Sequence, residues 1–257
     1  MTDTILCIDI GNTNTVLGCF EKNRIVGTIR LQTNAGETAA EIAVRLKGLL
    51  DFYGFEASEF SGAILSSVVP EVTEPFREAV NRLFSVRCML VGPGIKTGLN
   101  VRIDDPGTLA SDLLVGAVAA MNLYTLPVII IDMGTAVTLT AVDAQKAYRG
   151  GVIFPGTRLS YKALSDSASL LPSISISAPK KCIGTNTVDA MRSGAVYGTA
   201  AMIDGMIGRM EAELGSPCTA VATGGYASRI LPYCSREIVL DEELLLKGLY
   251  LIYMKNV

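Results

Sequence analysis

Ile5-Leu6-Cys7-Ile8-Asp9-Ile10-Gly11-Asn12-Thr13 stands near the start of the chain, and Val128-Ile129-Ile130-Ile131-Asp132-Met133-Gly134-Thr135-Ala136 restates it in altered form. Each copy is an apolar, β-branched run that ends in a carboxylate, followed by a glycine and a hydroxyl residue. A second apolar stretch comes next, Val16-Leu17-Gly18-Cys19-Phe20 in the first copy and Val137-Thr138-Leu139-Thr140-Ala141-Val142 in the second. The pattern predicts a buried strand, a tight turn and a returning strand, twice. One Asp-x-Gly at a strand end is usually only a hairpin turn. Two copies in the same apolar setting, each with hydroxyls, carry more. Glycine lets a ligand approach the backbone, turn N–H groups and Thr hydroxyls can hold phosphate oxygens, and the Asp offers a hard oxygen to magnesium or a monovalent cation. Val221-Ala222-Thr223-Gly224-Gly225 adds a short apolar strand opening into a glycine pair, which suits a flat ring or ribose resting on backbone. The expectation is a duplicated α/β domain with a nucleotide between its halves.

Composition narrows the function. The chain has 257 residues, 49% hydrophobic and 18% charged, enough for one large domain or two modest ones that each bury a core. A net charge of −3 and scattered lysines and arginines argue against a nucleic-acid surface; the densest pair, Lys180-Lys181, reads as a solvated loop. Mean hydropathy is +0.40, yet the longest stretch without a polar side chain, Leu113 to Met121, is too short to span a bilayer. With no basic leader before the first strand, a cytoplasmic location is expected, and the excess hydrophobicity is assigned to buried strands and an apolar subunit interface. The six cysteines show no metal-site spacing and read as small hydrophobes in a reducing compartment. There is no histidine, which removes imidazole acid–base chemistry and leaves carboxylates as the available bases.

Periodicity predicts strands at 4–10, 15–21 and 24–31, a helix over 37–53, a strand over 62–69 and a helix over 71–84. A turn-rich stretch follows from 92 to 107, then a helix from 109 to 124. Strands near 127–132, 136–142 and 147–154 and a helical segment from Gly156 repeat the scheme. The boundary is placed along the helix, giving lobes 1–115 and 116–257. The segment 186–214 reads as one long helix containing Gly194, Gly198, Gly205 and Gly208. Glycine costs a helix about 1 kcal/mol against alanine, so close helix–helix packing is expected there, with a dimer built largely on this helix.

The chain resembles the type III pantothenate kinases, within the superfamily that unites acetate and sugar kinases with actin and heat-shock chaperones. The marks are Asp9-x-Gly11-Asn12-Thr13, Ser67-Val68-Val69-Pro70, Asp132-x-Gly134-Thr135-Ala136, Gly150-Gly151-x-Ile153-x-Pro155-Gly156, Gly184-x-Asn186-Thr187 and Thr223-Gly224-Gly225. The resemblance implies a duplicated ribonuclease-H-like fold with an interlobe nucleotide cleft and ATP-dependent phosphorylation of pantothenate. It also implies a homodimer that uses Mg²⁺ and a monovalent cation, K⁺ or NH₄⁺. By the same resemblance, Asp9 organises metal and phosphates, and Gly11, Asn12, Thr13 and Asn14 hold the nucleotide with Gly134, Thr135, Gly224 and Gly225. Asp132 holds the monovalent cation, and Asp112 is the general base on the substrate hydroxyl. Gly107, Leu109, Ala110 and Thr187 contact pantothenate, Thr187 from its own or the partner subunit.

Four positions depart from the family pattern. Leu113 follows Asp112 where arginine is usual, Ile103 replaces a tyrosine, Thr185 a lysine and Thr140 an acidic residue. Three readings stay open at this point: a pantothenate kinase with a rebuilt acceptor pocket, a paralogue acting on another small hydroxylated acceptor, and a non-catalytic nucleotide-binding regulator. Retention of Asp9, Asp112 and Asp132 favours catalysis, since a binder has no need of a base.

Overall fold

The computed structural model describes residues 4–257, which form two compact units. The first comprises residues up to 98, 105–119 and 244–257; the second comprises 99–104 and 120–243. Neither is continuous in sequence.

In the first unit, β1 (Thr4–Ile10) is buried at six of its seven positions. That suits a central strand, and it pairs antiparallel with β2 (Asn14–Glu21) and parallel with β4 (Phe60–Ser67). β3 (Arg24–Gln32) and β5 (Cys88–Leu90) complete the order β3-β2-β1-β4-β5. Helix α1 (Ala39–Phe52) begins at a capping box, with Thr38 N–H donating to the Glu41 carboxylate over 2.8 Å, and buries Ile42, Leu46 and Leu50, four residues apart. Helix α2 (Pro70–Phe84) starts on a proline whose missing N–H costs nothing at that position, and it buries Val72, Phe76, Ala79 and Val80. These two helices cover one face of the sheet in a single core with Leu6, Ile8, Ile10, Leu17 and Leu65. The C-terminal helix, Leu244–Asn256, covers the other face, where Tyr250 stacks on Phe20 at 4.5 Å and Leu246 and Tyr253 lie over Gly18 and Gly62. Helix α3 (Ser111–Leu123) starts within this unit.

The second unit repeats the plan. Its strands are β6 (Asn100–Val101), β7 (Val128–Met133), β8 (Ala136–Val142), β9 (Ala147–Pro155), β10 (Thr219–Thr223) and β11 (Val239–Leu240), in the order β11-β10-β7-β8-β9-β6. Taken from β9 to β11, order and direction match the first sheet strand for strand: two antiparallel pairings, then two parallel ones. Helices α4 (Thr157–Ser167), α5 (Thr187–Ser193), α6 (Thr199–Leu214) and α7 (Ala227–Ile230) follow in chain order, and the C-terminal helix is α8. The core lies where Ala195, Val196, Ala200, Ile203 and Ile207 meet Ile129, Ile131, Met133, Val137 and Leu139.

The structure departs from the sequence expectation at the glycine-bearing helix and in its shortest strands, β5, β6 and β11. The 186–214 helix is interrupted by one turn of π-helix, Gly194–Gly198. Three of its four glycines make no close contact with another element of the chain, either. A side chain at Gly198 or Gly208 would meet open space, one at Gly205 would meet only its own helix's Arg209, and only Gly194 backs onto another element, at the Tyr161 hydroxyl. Periodicity finds the buried stripe but is blind to what faces the exposed side. The turn-rich stretch 92–107 also contains a strand: β6 is two residues long and pairs with β9, too short for any periodic signal.

Candidate active site

Asp9 sits one residue from the end of β1, in register with Val16 on β2 and Ser66 on β4. The turn beyond it is closed by Gly11 N–H donating to Asn14 C=O over 3.0 Å. Thr33, the first residue after β3, then ties the turn down: its N–H donates to Thr13 C=O (3.1 Å) and its hydroxyl to Gly11 C=O (2.6 Å), while Thr15 shares a hydroxyl contact with it (3.0 Å). The Asn12 and Thr13 side chains are left exposed at the tip. Two residues that sequence reasoning missed, Thr15 and Thr33, thus hold the loop; Thr15 is fully buried and read as an ordinary strand threonine, and Thr33 lies just past β3.

The same device recurs in the second unit. Asp132 lies one residue from the end of β7, in register with Thr138 and Thr223. Gly134 N–H donates to Ala136 C=O (2.9 Å), and Gly156, the first residue after β9, donates to Thr135 C=O (3.0 Å). Gly156 must be glycine: a Cβ there would stand 2.3 Å from Thr135 O and 2.6 Å from Gly134 O. Gly224, at φ +93°, folds back on the same turn, and a Cβ on it would come within 2.6 Å of Asp132 Oδ1 and of the Met133 backbone. Its glycine character is therefore demanded by this unit's own packing against Asp132. Gly225, by contrast, faces open space.

Asp112 is the second residue of α3 and is largely buried. Burial pushes its carboxyl above the ordinary aspartate range, and the amides of Leu113 (2.7 Å to Oδ1) and of Asp112 itself pull partly the other way. The start of α3 is bonded to the end of β4: Ser66 Oγ donates to Ser111 Oγ (3.0 Å), which donates to Ser67 C=O (2.9 Å). Ser66 is Asp9's neighbour in the sheet, so two short links separate Asp9 from the residue preceding Asp112. Sequence offered no signal for this link, which spans 45 residues. Gly107, Leu109 and Ala110 lead directly into the helix. Asp105 accepts from Gly107 N–H (3.0 Å), Leu109 N–H reaches Pro106 C=O (3.4 Å), and Ala110 C=O takes Leu114 N–H (3.1 Å).

The remaining candidates belong to the second unit. Thr187 is exposed at the start of α5, whose cap is Asn186 Oδ1 accepting from Asp189 N–H at 2.9 Å. Thr185 is exposed just before it. Ile103 lies over Gly150, its Cγ2 3.6 Å from where a side chain would begin, and Thr140 is buried opposite Ile130 and Gly151. Among the described residues no three His, Cys, Asp or Glu side chains come together as a metal cage. The donor set is instead one Asp at each turn, Asp9 and Asp132. That fits Mg²⁺, which keeps several waters and takes one or two carboxylates together with substrate phosphates.

A strand order of 3-2-1-4-5 occurring twice, with an Asp-bearing first hairpin each time, is the duplicated ribonuclease-H-like fold of the actin-like ATPases and sugar kinases. Solved structures agree on that fold. Component A of (R)-2-hydroxyglutaryl-CoA dehydratase from Acidaminococcus fermentans is 13% identical and superposes with a TM-score of 0.57 over 98% of this chain and 97% of that one. A candidate N-acetylglucosamine kinase from Porphyromonas gingivalis is 12% identical, with a TM-score of 0.54 over 98% and 99%. The sequence profile of the type III pantothenate kinases matches residues 5–209, and the chain belongs to that family. It is 44% identical over 253 residues to the type III pantothenate kinase of Halalkalibacterium halodurans, covering 98% of this chain and 100% of the relative, and 40% identical to that of Myxococcus xanthus, covering 98% of each.

Proposed function

We infer that this chain transfers the terminal phosphoryl group of ATP to the primary hydroxyl of pantothenate, giving 4'-phosphopantothenate and ADP, the entry step to coenzyme A. The observation that carries the reading is family membership along essentially the whole chain, with an Asp at all three candidate positions. Phosphoryl transfer asks a protein chiefly for positioning, neutralisation of charge and one proton acceptor. In this reading the turn N–H groups and the exposed Asn12 and Thr13 side chains bind phosphate oxygens, with Asn14 closing the turn. Asp112 takes the proton of the attacking hydroxyl. Gly107, Leu109, Ala110 and Thr187 line the acceptor, and Gly134, Thr135 and the open backbone at Gly225 serve the nucleotide beside Gly224.

Asp9 would hold Mg²⁺ and Asp132 a monovalent cation, K⁺ or NH₄⁺; when bound, these ions neutralise charge on the transferring phosphates. A homodimer working in the cytoplasm completes the proposal, and no described helix is long and apolar enough to cross a membrane. The test is pantothenate-dependent ADP release by the full chain with ATP, Mg²⁺ and K⁺, against a panel of small hydroxylated acceptors. Preference for pantothenate supports the reading; turnover of another acceptor alone overturns it.

A further inference from the structure

We propose that Ser111 is a positioning residue for the transfer, its hydroxyl docking the first turn of α3 onto the end of β4 so that Asp112 stands at a fixed offset from Asp9. The inference rests on the roles given above to Asp9 and Asp112. A serine on the first turn of a helix commonly caps that helix's own amides. Ser111 does not: both of its hydroxyl bonds leave the helix, one accepted from Ser66 Oγ at 3.0 Å and one donated to Ser67 C=O at 2.9 Å.

The receiving side is itself braced. Ser66 is fully buried, in a strand paired on both sides, and is in register with Asp9. Ser67 Oγ accepts from Val69 N–H (3.1 Å) and stands 2.7 Å from the Thr73 hydroxyl, whose single proton goes to it or to Val69 C=O at 2.8 Å. The hydroxyls of Ser66, Ser67, Ser111 and Thr73 therefore link β4, α2 and α3 at one point beside the two aspartates. Removing the Ser111 hydroxyl leaves the buried Ser66 hydroxyl without its acceptor and Ser67 C=O without this donor, a loss that favours a shift at the start of α3. Asp112 is the next residue along. Catalytic geometry is sensitive to displacements of about 1 Å, which can cost on the order of 10²-fold in rate.

The experiment is steady-state kinetics on the full-length protein. Ser111→Ala is expected to lower kcat about tenfold while KM for ATP changes less than about twofold, because none of the residues assigned to the nucleotide is on α3. Ser111→Thr, which keeps the hydroxyl, is expected to restore most of kcat. Ile42→Val, a modest loss of packing in the α1 core, controls for general loosening and should leave kcat unchanged. Wild-type kcat in Ser111→Ala, or a Ser111→Thr variant as slow as the alanine form, overturns the proposal. A wild-type protein that releases no ADP on addition of pantothenate overturns the kinase reading itself, and this inference with it.

Discussion

Asp112 combines two things that rarely coexist on a helix's first turn: a position where a carboxylate is welcome, and enough burial to lift its pKa. As a base it must be ionised, so kcat/KM, which reports the free enzyme, should fall as pH drops through that raised value. The acid limb of the pH–rate profile is expected above the ordinary aspartate pKa of about 4; an acid limb at or below it would sink the assignment. The same shift affects stability. A carboxyl whose folded-state pKa is raised contributes stability that is fully present below the unfolded value and lost as pH rises through the folded value. Asp112→Asn should therefore lower kcat by roughly 10²–10⁴-fold while the melting temperature at neutral pH is no lower than wild type. Gly224 makes the opposite case, a residue whose identity is set by its neighbours. Gly224→Ala meets Asp132 and the Met133 backbone at 2.6 Å from a left-handed conformation, and should cost roughly 1–3 kcal/mol in denaturant unfolding. Gly225→Ala, facing open space, should cost far less.

Among the elements, the two hairpins were legible because their signals are local: apolar runs, an Asp-Gly turn and a return strand within about twenty residues. The residues that close them were not. Thr33 and Gly156 each follow a third strand and reach back to the first turn, a contact that only tertiary structure brings about. The glycine-bearing helix was read correctly as helical, and of the close helix–helix packing expected at its glycines the chain itself supplies only the contact of Gly194 with Tyr161 on α4. Open space at Gly208 gives a direct test of the proposed dimer. If that face stays in water, Gly208→Ala stabilises the protein by roughly 0.5–1 kcal/mol, the ordinary helix preference for alanine. If a partner subunit packs there, the added methyl weakens association instead, and sedimentation at a series of concentrations will show a rise in the dimer dissociation constant.

For the whole molecule, the absence of a carboxylate cage among the described residues separates catalysis from folding. Metal removal by EDTA is expected to abolish turnover and leave the melting temperature within about 1–2 °C, since a metal held mainly by substrate phosphates adds little to the free protein. A large thermal shift on chelation would point to a protein-bound structural metal. Family membership also emerges at this scale. No single motif would establish it, because an Asp-x-Gly turn is common and a glycine pair commoner still; several in the right order along 257 residues are not. The C-terminal helix shows the limit of that reading: it lies farthest along the chain, yet Leu246, Tyr250 and Tyr253 complete the core of the first unit.

By itself the sequence determined the longer strands, the repeated Asp-bearing turns, the α/β class and the family, because alternation, apolar runs and turn chemistry act between near neighbours. Tertiary structure alone decided that α8 seals the first sheet, that Gly224 is pressed against Asp132, and that Ser66 and Ser111 join β4 to the helix carrying Asp112. Those contacts join residues tens to hundreds of positions apart, and a hydroxyl gives no sign in sequence of which distant partner it will meet once the sheets are formed.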